Sequence, residues 1–186
     1  VRAVCIVTVM FGLLLLVSCL AIGRDGRVLP LHGFCTALCI ALGGQGPVAV
    51  GALAAALGGS LVAWAGQRRF APERSYGAGP LSSVVLAASG GMALLFLLAL
   101  AATPGLPVLF AAGVVLVGLC GAALAVPLLQ FAAMFCAVNG LFLLAGCAQS
   151  GLLLMAALLV WGSLAVLGVW LLPRLAWART EAAEEV

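Results

Sequence analysis

The residues of this chain whose types and spacing could do chemistry begin with His32, Cys35 and Cys39. They stand at i, i+3 and i+7 of one apolar segment, so a helix there carries all three on a single stripe. Imidazole and thiolate together would suit a soft cation such as Cu(I) or Zn(II). One helix stripe rarely closes a coordination sphere, however, and the sequence has no second Cys/His cluster to complete it. The plainer reading is a histidine near the membrane surface, five residues after Arg27, with two cysteines filling a helix interface. No metal and no cofactor is expected on that reading, and a copper or zinc carrier built on the three residues is the minor alternative.

A second polar feature is Gln130, followed by Asn139-Gly140, in another apolar segment. An amide surrounded by lipid hydrogen-bonds across to a neighbouring helix, so Gln130 and Asn139 are candidate interhelical contacts rather than substrate ligands. No phosphate-cradling glycine loop, no Ser/His/Asp arrangement and no haem or iron–sulfur cysteine spacing occurs. No catalytic residue can therefore be named, and redox or hydrolytic chemistry would have to belong to a partner.

The elements that must hold these residues are membrane spans. Hydrophobic residues make up 66% of the 186 and charged residues only 7%, whereas a soluble domain needs about a quarter charged to cover its surface. Roughly 20 apolar residues cross the hydrocarbon core. Seven segments qualify, at Ala3–Ile22, Val28–Leu42, Pro47–Gly66, Leu81–Ala102, Leu106–Ala125, Leu128–Cys147 and Leu152–Leu172, followed by a tail over 173–186. Breakers separate them: Gly23-Arg24-Asp25-Gly26-Arg27, Gly43-Gly44-Gln45-Gly46-Pro47, the loop from Gln67 to Pro80, Thr103-Pro104-Gly105, Pro127, and Ala148-Gln149-Ser150-Gly151. The expected fold is an all-α, polytopic membrane domain of about seven transmembrane helices.

Arginine sets the orientation, because positively charged loops stay cytoplasmic. With seven spans one face receives only Arg2, and the other receives Arg24, Arg27, Arg68, Arg69, Arg74, Arg174 and Arg179. The expectation is an N-terminus outside, a C-terminus in the cytoplasm, and Trp64, Trp170 and Trp177 as interfacial anchors. Arginines this few and scattered make no nucleic-acid stripe. The first run is longer than a signal-peptide core and reads as a retained helix. The seven cysteines all lie in apolar runs and in odd number, so they read as buried thiols rather than a disulfide framework.

No carboxylate and no arginine falls inside an expected span, although ion-coupled transporters place such groups at depth. The segment Gln130-Phe-Ala-Ala-Met-Phe-Cys-Ala-Val138-Asn139-Gly140-Leu-Phe-Leu-Leu resembles the corresponding helix of the hydrogenase-4 component E family, relatives of the small K subunit of respiratory complex I. That family carries a Gln ahead of a Glu-Asn-Gly motif and shares the layout of a short charged loop after the first helix and a basic loop after the third. Val138 stands here where the family has its Glu, Met155 and Trp161 fall where it has acidic residues, and Ala125-Val126-Pro127-Leu128 replaces its basic turn.

The resemblance implies a member without proton-path carboxylates: a non-catalytic membrane-arm scaffold of a complex I-related, hydrogenase-type or respiratory assembly in the bacterial inner membrane. Its partners would be antiporter-like and other membrane subunits and the lipid bilayer, with no nucleic acid. The alternative is a small secondary transporter or exporter of an uncharged solute, for which the two halves of the chain offer no internal repeat.

Overall fold

The computed structural model describes residues 2–21, 26–69, 105–124 and 127–184, and among them the protein is entirely helical, with no strand. The helices are α1 (Arg2–Ala21), α2 (Leu29–Gly43), α3 (Gly46–Gln67), α4 (Leu106–Cys120), α5 (Pro127–Ala148) and α6 (Gly151–Glu184), with short 3-10 turns at Gly26–Val28 and Gly121–Ala123. Four stretches are long and apolar enough to cross a membrane: Gly26–Gly43, Gly46–Gln67, Pro127–Ala148 and Gly151–Arg174. Val7–Ala21 and Pro107–Cys120 are shorter apolar helices. The expected span at Leu81–Ala102, the loop from 70 to 80 and residues 22–25 lie outside the described residues.

Local chemistry explains the boundaries. Pro30, Pro47 and Pro107 sit in the first turns of α2, α3 and α4, and Pro127 opens α5, where a missing N–H costs nothing. Gly105 precedes α4 at φ 141°, a backbone conformation that only glycine holds easily. The turn between α5 and α6 is closed by Gln149 at φ 52°, whose Nε2 donates to the Gly146 carbonyl at 2.6 Å. Ser150 Oγ then accepts from Leu153 N at 3.3 Å and caps α6.

Three expected boundaries shift. Gln67 is the last residue of α3 rather than the start of a loop. The helix expected to reach Ala125 ends at Cys120 and tightens into a 3-10 turn. The last helix does not stop at Leu172 but runs through Pro173 to Glu184. Pro173 lacks only the N–H that would reach the Val169 carbonyl, one bond in a long ladder.

α5 is the axis of the bundle. It packs against α2, α3, α4 and α6 and touches α1, and nearly every face of it is buried. Small residues make that possible, because glycine and alanine let helix backbones approach where lipid supplies no hydrophobic drive. A Cβ on Gly140 would lie 2.9 Å from Val115 N and 3.1 Å from the Ala111 carbonyl, so α4 and α5 touch backbone to backbone there. Gly33 does the same for α2 and α3: a Cβ would stand 2.8 Å from the Ala56 carbonyl and drive into Ser60. Gly33→Ala should therefore cost about 1–3 kcal/mol as an overpacked contact, read as a lower unfolding midpoint in a denaturing-detergent titration. Phe11 against Phe110, with ring centroids 5.6 Å apart, ties α1 to α4. Phe135 against Trp161 at 6.2 Å ties α5 to α6.

The ends of the helices sort onto two faces. Gly26 packs on Gln67, Leu128 and Phe131 pack on Leu172, and Gln67 and Arg69 share a cleft with Pro173. The end of α3, the start of α5 and the 172–174 region of α6 therefore lie together, with Arg27, Arg68, Arg69 and Arg174. At the opposite face Gly46 packs on Gln149. α4 runs antiparallel to α5, since Gly118 meets Ala137 while Ala111 meets Gly140, so Gly105 belongs to the face opposite Arg69. Arg68 stacks 5.2 Å from the Trp64 ring and Arg174 3.9 Å from the Trp170 ring, as interfacial anchors do. The Trp177 side chain lies outside the described residues.

α6 turns most of its surface outward: Leu152, Val166 and Val169 are 83%, 72% and 74% exposed. Such an apolar surface belongs in a bilayer or against another protein, not in water.

Candidate functional site

At the centre of the bundle four helices contribute one polar side chain each. Ser18 comes from α1, His32 from α2, Ser60 from α3 and Asn139 from α5, and all four are buried. Asn139 Nδ2 donates to His32 Nδ1 at 3.0 Å and to Ser60 Oγ at 2.9 Å. Ser60 Oγ lies 3.3 Å from Asn139 Oδ1 and can return its hydrogen there. His32 Nε2 lies 2.8 Å from Ser18 Oγ, which donates to the Leu14 carbonyl at 2.8 Å. Thr36 adds a bond from its hydroxyl to the His32 carbonyl at 2.8 Å.

These contacts fix the direction of the chain of bonds. An amide nitrogen only donates, so His32 Nδ1 must present a lone pair and the ring hydrogen sits on Nε2. The Ser18 hydroxyl, already donating to Leu14, accepts that hydrogen. The path therefore runs Asn139 to His32 to Ser18 to a helix carbonyl, and every side-chain group on it is satisfied. Among the described residues the only buried side-chain N and O atoms without a partner belong to Gln67, elsewhere in the bundle. Chemically the network ties four helices together. It has no charge to stabilise a transition state and no carboxylate to exchange a proton, and it ends on a backbone carbonyl.

His32 is enclosed by protein, with 0% exposure. Gly33 explains how: without a side chain it lets Ser60 of α3 come against the turn that carries His32. Cys35 and Cys39 do not join His32. Both ring nitrogens of His32 are already engaged, and the Cys39 thiol faces the Met10 carbonyl at 3.5 Å. No group of three His, Cys, Asp or Glu side chains placed to hold a metal exists among the described residues. Cys19, Cys35, Cys39, Cys120, Cys136 and Cys147 are not in disulfides.

Of the two amides singled out by sequence, Asn139 reaches two other helices. Gln130 does not: its Nε2 donates to the Leu124 carbonyl, six residues earlier, and so fastens the connection between α4 and α5. Ser18, Thr36 and Ser60 were not distinguishable beforehand from other hydroxyls in apolar runs. Ser60 follows Gly59, on which the Trp161 ring packs, but it is Gly33 of α2 that lets Ser60 approach His32. Val138 is buried in the main apolar core, 2% exposed. Of the other two family acidic positions, Trp161 packs on Phe135 and Met155 is exposed on α6.

No family model, no curated protein and no solved structure matches the chain.

Proposed function

We propose that this chain is a non-catalytic membrane-arm subunit, a scaffold within a complex I-related, hydrogenase-type or respiratory multisubunit complex of a bacterial inner membrane. The observation that carries the reading is the closed, uncharged network of Ser18, His32, Ser60 and Asn139 at the bundle centre. A proton relay needs links that titrate and an entrance from water; here the one titratable link, His32, lies between an amide and a hydroxyl that ends on a helix carbonyl, and no carboxylate joins it. Val138 and its apolar surroundings add no carboxylate where the hydrogenase-4 component E family carries one. The outward apolar face of α6 offers antiporter-like neighbours a surface without any charge to desolvate.

The same reading includes seven spans. Its support is that Arg69 and Gly105 stand at opposite faces of the bundle and that the one apolar run between them in the sequence is Leu81–Ala102. The positive-inside bias then puts the arginine-bearing face in the cytoplasm and the N-terminus outside.

Purification of the tagged chain from its own membranes in a mild detergent tests the proposal. The expected result is co-elution with larger polytopic subunits in fixed proportion. A stable, monodisperse monomer, with no membrane partner, would defeat it.

A further inference from the structure

The chain contains a single histidine, and the fold places it where a proton would change the bonds that join four helices. In the neutral ring the Nε2 hydrogen goes to Ser18 Oγ, and Nδ1 accepts from Asn139 Nδ2 at 3.0 Å. A further proton can bind only at Nδ1, the one lone pair of the ring. Its N–H would then meet the amide N–H of Asn139, donor against donor, and the link from α2 to α5 would be lost.

One local movement answers that clash. A half-turn of the Asn139 amide brings Oδ1 to Nδ1 and puts Nδ2 where Oδ1 had been. Ser60 Oγ lies 2.9 Å from the amide nitrogen and 3.3 Å from the amide oxygen, and a hydroxyl both donates and accepts, so it pairs with either orientation. The network therefore has two hydrogen-bonded arrangements, one for each charge of the ring. What the second lacks is a counter-ion. α1, the turn at Gly26–Val28, α3 and α5 pack on α2, and none of these five elements carries an Asp or a Glu. On the α1 side Cys19 adjoins Ser18, the turn brings Arg27, and α2 itself has Cys35 and Cys39. α3 has no titratable side chain, and α5 has Cys136 and Cys147. Thiols are uncharged at acid pH, and Arg27 is a cation. His32, Ser18, Ser60 and Asn139 are all buried, so water does not screen a charge placed among them.

We infer that His32 is a proton-operated latch: the neutral ring locks the four helices together, and a proton at Nδ1, admitted by the half-turn of Asn139, leaves an unpaired charge that loosens them. The sign follows from which state takes the proton. Opened in denaturing detergent, His32 is a free imidazole and is protonated as the pH falls through about 6.5. Closed, it gains a proton only with an uncompensated buried charge. Stability from the latch is therefore complete above that pH and is lost below it. The latch uses no partner subunit, so it stands apart from the scaffold reading.

The test is unfolding of the full-length chain in denaturing detergent from about pH 7 to pH 5, the range that histidine alone among ordinary side chains titrates across. The unfolding constant of the wild type should rise as the pH falls, approaching about tenfold per pH unit, the limit for one proton. His32→Gln should give a flat profile. Asn139→Asp sets a carboxylate against Nδ1 and should abolish the rise, because the ring is then paired when charged. Nitrogen NMR of the single histidine, with the wild type at pH 7, should show a neutral ring with its hydrogen on Nε2. A flat wild-type profile overturns the latch, and so does an equal rise in His32→Gln, which would assign the proton to another group. Where His32→Gln does not fold, Asn139→Asp and the spectrum decide: an undiminished rise in that variant, or a charged or Nδ1-protonated ring at pH 7, overturns it as well.

Discussion

Asn139→Leu should lower the stability of the bundle by about 2–3 kcal/mol and, on the proposed scaffold role, leave the turnover of each assembled complex nearly unchanged. The substitution removes the donor to His32 Nδ1 and both links to Ser60. Interhelical hydrogen bonds in membranes contribute about 0.6 kcal/mol on average and up to about 1.7 kcal/mol each. The remainder comes from orphaning a buried imidazole nitrogen and from a branched side chain in a space shaped for an amide. The loss should be shared: Ser60→Ala alone should cost less, and the double variant should cost clearly less than the sum, because both act on one network. The measurements are unfolding in denaturing detergent for each single variant and the pair, and enzyme activity normalised to assembled complex in membranes. Normal assembly with collapsed proton movement in Asn139→Leu would show that the helix lines a water path, and the scaffold reading would fail.

The parts of this architecture that are written locally were legible in the chain. Pro47, Pro127, the glycine turn at 43–46 and the Thr103-Pro104-Gly105 break set helix starts close to where the structure has them, because a missing N–H or a tight turn acts within a few residues. Arg27, Arg68 and Arg69 share a face because each sits next to a helix end, and Arg174 joins them from inside α6, beside Pro173. Asn139 was recognisable because an amide in an apolar run must find a partner. Which partner it finds is a tertiary fact: His32 and Ser60 lie 107 and 79 residues away in sequence. No periodicity links them, and the contact depends on Gly33 letting α2 and α3 close. The partners of His32 were hidden for the same reason, since its burial comes from α1, α3 and α5 and not from its own segment. Gln67 looked like a loop residue because its neighbours Arg68 and Arg69 are charged, but the helix continues one residue further than the apolar run. The end of α6 was missed by a different route: Pro173 reads as a terminator, and a helix that has already crossed the bilayer can continue past one lost hydrogen bond.

Val138→Glu should be the more damaging change, with a stability loss of about 3–4 kcal/mol and a severalfold drop in the amount of protein that accumulates in the membrane. Val138 belongs to the main apolar core, and its side chain is almost completely enclosed. A carboxylate there has to be dehydrated, which at the middle of a membrane helix costs roughly 2.5–3.5 kcal/mol even on the mildest scale. Nothing nearby repays it. The described arginines 27, 68, 69 and 174 stand at one end of the bundle, and the imidazole of His32 has both nitrogens committed. The enlarged side chain adds overpacking against a helix that has no free face. Two controls separate the contributions. Val138→Leu carries most of the added bulk without the polarity and should cost less, and Val138→Gln matches the shape of glutamate without its charge and should fall between them. The readouts are abundance in membranes and the unfolding midpoint of the purified chain. Wild-type accumulation of Val138→Glu, together with new proton permeability in reconstituted vesicles, would mean that water reaches this position. The scaffold reading would then fail, and an interior described as closed and dry would have to be redrawn as a conduit.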